Sequence, residues 1–280
     1  MFYEYLEGVF QTRRPVFQFT PDTKGDFHAE FIIDETKFLF TETGALLCYF
    51  YAAPGKSYHL EMPARREKTP EEIRNPFFIP AEVHLPVSVE NHTDCPDINK
   101  AVREYDKVFD PFYNQQIVRY YLPGYSREKT DSFLLAVKPV TDACNEGYFT
   151  SYSLYKTGLL EFTVSQFNMT EIISRYFLDK PVCFTVPSYW ELFNKVFDKY
   201  FGFLTNKEEF RDLYGYITGG NFAAMDSLLK YDPVLKNDTI RGLVMMNEIY
   251  KDFHDGYLSV SGLSVLLDSV SAGYDAKLIR

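Results

Sequence analysis

The sequence predicts an α+β protein: a small antiparallel β-sandwich at the N-terminus, followed by an all-α helical region. Three observations predict it. Apolar residues alternate with polar ones up to Met62, the period of a half-buried strand. From Asp97 onward the apolar period is 3.6, that of an amphipathic helix. Between these stretches lie six of the 15 prolines, which neither donate to a ladder nor favour a helical predecessor. The expected organisation is a sandwich domain over residues 1–62, a proline-rich connector over 63–96 and a helical domain over 97–280. One further strand is expected at 81–90, inside the connector.

The strands are read in order. Phe17 and Phe19 flank Gln18, and Pro21-Asp22-Thr23-Lys24-Gly25 supplies a turn. Phe27, Ala29, Phe31 and Ile33 then alternate with His28, Glu30 and Ile32, which predicts a strand. Phe38 and Phe40 precede Gly44. The run Ala45 to Tyr51 is apolar on both faces, which predicts a central, covered strand. After Pro54-Gly55, Tyr58, Leu60 and Met62 alternate with Ser57, His59 and Glu61. In the connector, Ala81, Val83, Leu85, Val87 and Val89 share one face, and Pro86 restricts that strand to a sheet edge.

The helices follow. Ile98, Val102, Tyr105, Phe109 and Phe112 mark one face, and Pro111 is expected to kink or split that helix. Ser126 can cap the next, which carries Phe133, Leu134 and Val137, with Pro139 near its end. Tyr148, Tyr152, Tyr155, Leu159 and Phe162 form another face. Ser188-x-x-Glu191 is a capping-box pattern after Pro187, and Asn206-x-x-Glu209 is a second. Short helices then end at Gly219-Gly220, begin at Asn221, close at Asp232-Pro233, and run from Asn237 or Asp238 to Gly256. Leu263, Leu266, Leu267 and Val270 predict a last amphipathic turn or two.

Composition excludes several function classes. With 46% hydrophobic residues the chain is not intrinsically disordered. A net charge of −10 argues against nucleic acid or an anionic membrane surface as partner. The longest uncharged stretches, Thr43 to Gly55 among them, are 13 residues, so no transmembrane segment is expected. Glu4 and Glu7 stand where a signal peptide carries basic residues. The four cysteines, Cys48, Cys95, Cys144 and Cys183, are widely spaced without a C-x-x-C, and are read as buried or half-buried thiols.

No residue stands out as catalytic, and no metal or cofactor site is expected. Phosphate-binding, nucleophile-elbow and zinc-protease patterns are absent from the sequence. His84, His92, Asp94 and Cys95 lie near one another, but their spacing matches no structural zinc pattern. Aromatic residues make up 18% of the chain, and most fall at core-facing positions. Tyr113, Tyr120, Tyr121 and Tyr125 fit the helical period less well. They are the candidates for an exposed aromatic, ligand-binding surface.

Several segments carry a resemblance. They are Pro54-Gly55-Lys56-Ser57-Tyr58 with Leu60-x-Met62-Pro63, Asn75-Pro76-Phe77-Phe78, and Gly147-Tyr148-Phe149-x-x-Tyr152. Lys180-Pro181-Val182, Tyr189-Trp190-x-Leu192-Phe193 and Phe197-x-x-Tyr200-Phe201 complete the series. In this order they resemble the region before the thioredoxin domain in Bacteroidetes thiol-disulfide oxidoreductase-type proteins of the TlpA and ResA kind. The resemblance implies a β-sandwich, then a helical region, in a periplasmic or lipid-anchored protein. It carries over no catalytic residue, because no C-x-x-C is present here. The partner it implies is a C-terminal thioredoxin-like domain, and the length is that of a part preceding such a domain. Three readings follow: a non-catalytic accessory or recognition region, an envelope module binding a glycan, peptide or protein, and a hydrolase with dispersed catalytic residues.

Overall fold

The computed structural model describes residues 1–6, 8–9, 11–90, 97–120, 128–165, 168–254, 256 and 264. The protein is α+β and forms two compact units, one mainly within residues 11–157 and one mainly within 158–280.

The first unit holds a five-stranded sheet. Its strands are β1 (Phe2–Tyr5), β2 (Arg13–Phe17), β3 (Lys37–Thr43), β4 (Leu46–Ala52) and β6 (Ala81–His84), in the order β2-β1-β3-β4-β6. The sheet is mixed rather than purely antiparallel, because β4 and β6 run parallel. The residues between them provide the long connection that a parallel pair needs. That connection holds β5 (Tyr58–Leu60) and α1 (Pro70–Arg74). Thr69 and Glu72 close a reciprocal capping box around α1, which buries no side chain. The strand expected at 81–90 breaks at Leu85-Pro86: β6 joins β4, while β7 (Val87–Val89) pairs antiparallel with β5. Pro86 has no N–H for a ladder, and its carbonyl accepts from Glu61 N–H at 3.2 Å.

Strand β4 is central and covered, as its two-sided apolar run predicts. One sheet face presents Phe2, Phe17, Leu39, Cys48, Phe50 and Ala52, and forms a buried cluster. The other presents Tyr49 and Tyr51, which meet Phe38, His84, Tyr148 and Tyr152 ring to ring. Tyr148 and Tyr152 belong to α4 (Gly147–Val164), so helices cover this second face.

Residues 27–33 correct the sequence reading. They alternate half-buried and exposed in the expected period, yet form no strand. Alternation reports which side chains meet a core, whereas a strand also needs a backbone partner. Here rings supply the anchorage: Phe27 stacks on Phe19 at 4.1 Å and Phe31 on Phe17 at 4.5 Å.

Helix α2 (Ile98–Tyr120) runs through Pro111, so the proline does not split it. Pro111 and Lys107, the residue one turn earlier, are both exposed. The Lys107 carbonyl that loses its N–H partner can therefore bond water instead. Helix α3 (Glu128–Ala143) likewise contains Pro139. The cap expected at Ser126 lies outside the described residues.

The second unit is helical among its described residues. It takes the end of α4, α5 (Met169–Tyr176), most of α6 (Pro187–Val196), α7 (Tyr200–Leu204), α8 (Leu213–Thr218), α9 (Phe222–Leu229) and α10 (Asp238–His254). Asn168, Asn221 and Asn237 cap α5, α9 and α10 by accepting from backbone N–H groups three residues on. Gly219-Gly220 ends α8, with Gly220 at φ 64°. Two expected capping boxes do not form. Ser188 lies one residue inside α6, which starts at Pro187, and donates to the Tyr152 carbonyl at 2.9 Å. Asn206 donates to the Gly202 carbonyl at 3.2 Å. The amphipathic turn expected near Leu263 to Val270 lies outside the described residues. No helix among the described residues is long and apolar enough to cross a membrane.

Helix α10 is the centre of this unit, buried at every position from Ile240 to Ile249. It buries Glu248, whose Oε2 accepts from the Phe201 N–H at 3.1 Å while Oε1 has no partner among the described residues. Burial pushes the carboxyl from its ordinary 4.5 to about 7. A raised folded-state value makes the protonated form the stable one. The stabilisation is fully present below pH 4.5 and is lost as pH rises through about 7. Glu248→Gln keeps the acceptor for Phe201 and removes the ionisation. It is expected to raise stability at pH 8 by about 1–3 kcal/mol, with little change at pH 4. Urea titrations at the two pH values, followed by the fluorescence of Trp190, check this; equal gains at both would refute the linkage.

Candidate functional site

The first unit contains a groove of about 850 Å³. One lip is the chain from Gly25 to Ile33; the other is Ala53 to Leu60. Local chemistry shapes both. The Asp22 carboxylate accepts from Lys24 N–H at 2.8 Å and Asp26 N–H at 3.0 Å, and Gly25 adopts φ 90°, so the turn at Pro21–Gly25 forms as its sequence predicts. On the other lip, Gly55 takes φ 69° and the Tyr58 hydroxyl accepts from Ala53 N–H at 2.7 Å, closing the Pro54-Gly55 turn. Burial raises the Tyr58 phenol to about 12, so it stays neutral and can also donate.

The walls are apolar. Phe17, Phe31, Phe50, Tyr58 and Leu60 line the groove, with Tyr58 edge-on to Phe50 at 5.7 Å. Ile32, 98% exposed, lies on the rim. The rim is otherwise polar: Asp26, His28 and Glu30 on one lip, Lys56 and His59 on the other.

The backbone of both lips has spare hydrogen-bonding capacity. No backbone hydrogen bond joins residues 27–33 to any described residue. On β5, Glu90 N–H donates to the Ser57 carbonyl and Glu61 N–H to the Pro86 carbonyl, both at 3.2 Å. In an antiparallel ladder the peptide groups alternate in direction. The groups of residues 57, 59 and 61 therefore face β7, and those of Tyr58 and Leu60 face away from it.

A second concentration of polar groups lies on the other sheet face. The Asn99 side chain accepts from Tyr51 N–H at 2.7 Å and donates to the Tyr51 carbonyl at 2.8 Å. Strand β6 covers β4 only as far as Tyr49, so Asn99 continues the pairing where β6 ends. His84 Nε2 lies 3.2 Å from Asn99 Oδ1, and its ring stacks on Tyr49. Burial pushes this imidazole from 6.5 to about 4, so it is neutral near pH 7. The Tyr152 hydroxyl donates to both Asp106 oxygens, at 2.8 and 3.0 Å. Burial holds the Tyr49, Tyr51 and Tyr152 phenols well above their ordinary value. These bonded groups fasten helices to the sheet.

Of the tyrosines singled out from the sequence, Tyr113 has a described side chain and the other three do not. Tyr113 is half-buried on α2 and stacks on Phe109 at 5.2 Å. Tyr120 ends α2 with its side chain outside the described part, and Tyr121 and Tyr125 lie outside it altogether. His92, Asp94 and Cys95 also lie outside the described residues, leaving His84 in the sheet-face cluster. Cys48 and Cys144 are buried and Cys183 is half-buried, with no disulfide among them. The groove itself escaped the sequence reading. Its one legible signal, the alternation of residues 27–33, is the same whether or not a strand partner is present. Set against protein-family models, curated proteins and solved structures, the chain matches none.

Proposed function

We propose that the chain is a recognition module that binds an extended polypeptide segment in the groove between residues 25–33 and 53–60. The observation that carries this reading is the pairing of ring-lined walls with peptide groups, those of residues 27–33, Tyr58 and Leu60, that have no partner among the described residues, the combination by which extended peptides are held. The sandwich expected from the sequence belongs to the same reading, with residues 27–33 and the β5–β7 ribbon as its second layer. By the resemblance of its ordered motifs, the module would be the accessory region of a TlpA-type envelope protein. It would present or restrict a thioredoxin-like domain without performing thiol chemistry itself.

A peptide array probed with the whole chain tests the binding. Ile32→Lys places a charge on an exposed rim position and is expected to weaken captured peptides by about tenfold or more. Ile79→Lys, at a residue 81% exposed and outside the groove, is expected to change nothing. Capture of no peptide, or equal loss in both variants, overturns the reading. Catalysed insulin reduction in dithiothreitol would overturn the non-catalytic part.

A further inference from the structure

We infer that the groove is a vacant strand position, and that its occupant is a single polypeptide strand with apolar residues facing inward and basic residues facing outward. This rests on the peptide-binding reading above and specifies its chemistry. Ala29, Phe31 and Ile33 from one lip and Tyr58, Leu60 and Val87 from the ribbon pack on the same buried cluster. Both lips therefore belong to one layer over one sheet face, and the groove interrupts that layer.

The backbone on each side suits a strand. Residues 27–33 are spaced in burial as strand residues are, with no hydrogen bond from their peptide groups to any described residue. Tyr58 and Leu60 turn their peptide groups away from β7. A strand laid between the lips can bond to one with its odd peptide groups and to the other with its even ones. Seven residues at about 3.3 Å each give a lip roughly 23 Å long, enough for a strand of ordinary length. Proteins usually protect such an edge with charge, proline or a bulge. Here Ile32 stands 98% exposed in the middle of it.

Alternation and charge set the side-chain preference. Inward positions of the occupant meet Phe17, Phe31, Phe50 and Leu60, so they are apolar. Outward positions pass a lip bearing Asp26 and Glu30, against the one lining lysine, Lys56, on the facing side. Lysine or arginine at outward positions complements that lip.

The test uses the whole chain and acetylated, amidated heptapeptides of alternating lysine and valine. Two further sets carry backbone N-methyl groups on the valines only or on the lysines only. Either methylation is expected to weaken binding by about tenfold or more, because each set of N–H groups serves one lip. Amide exchange at residues 27–33, Tyr58 and Leu60 is expected to slow when the unmethylated peptide binds. Replacing the lysines by glutamates is expected to weaken binding, and Asp26→Lys with Glu30→Lys to reverse that preference. Binding that survives both methylations overturns strand addition while leaving peptide recognition intact. Failure of every peptide, these and the array's, overturns both. Equal affinity for lysine and glutamate peptides overturns the charge preference.

Discussion

Replacing Arg241 by alanine is expected to cost the helical unit about 3–5 kcal/mol, the usual result of stranding the partners of a buried charge. Arg241 is 2% exposed on α10. Its Nε donates to Asp226 Oδ1 at 2.7 Å, one terminal nitrogen donates to the Leu235 carbonyl at 2.7 Å, and the other pairs with Asp238. One planar guanidinium thus joins the end of α9, the loop after it and the first turn of α10. Alanine removes all of these bonds at once and opens a cavity of side-chain size in a helix buried on every side. Lysine restores a charge but not the fork, so Arg241→Lys is expected to recover only part of the loss. Trp190, the only tryptophan, is buried in the same unit, so its fluorescence in a guanidinium titration follows the relevant transition. Arg211→Ala, whose side chain is 74% exposed in its pair with Glu208, is the control and is expected to change stability by less than about 0.5 kcal/mol. Similar midpoints for the Arg241 and Arg211 variants would refute the role assigned to Arg241.

Asn99→Ala is expected to destabilise the sheet unit by about 2–4 kcal/mol. Asn99 is 1% exposed and bonds both the N–H and the carbonyl of Tyr51, and nothing in β6 reaches that far along β4. Its loss leaves two backbone groups and the His84 nitrogen without their partner in a dry place. Near-ultraviolet dichroism of the tyrosines around Tyr51, recorded against temperature, reports this unit. A thermal midpoint unchanged within error would show that water replaces the side chain without penalty. The same variant leaves the groove residues in place, so any stable fraction should still bind peptide.

Much of the fold was legible locally. Asn221, Asn237, Gly219-Gly220 and the Pro21–Gly25 turn behave as read, because a cap or turn is decided by residues within one turn of each other. The two-sided apolar run of β4 also announced its central place. The misreadings have a common cause. Pro111 stays inside α2 because the groups around it are exposed; Ser188 abandons its expected cap for the Tyr152 carbonyl, 36 residues away. Asn99 and Arg241 gave no sequence signal, since an asparagine and an arginine are ordinary in any helix and matter here only for what surrounds them.

By itself, then, the sequence determined an α+β chain, with early strands, later helices and a proline-rich passage between. Those properties follow from periodicity and from backbone chemistry that each residue carries with it. Only the tertiary structure decided that residues 27–33 and the β5–β7 ribbon line one groove, with the peptide groups of 27–33 unpaired among the described residues. Side-chain alternation is a property of one segment, whereas hydrogen-bond pairing is a property of two, and no single segment states which neighbour it has been left without.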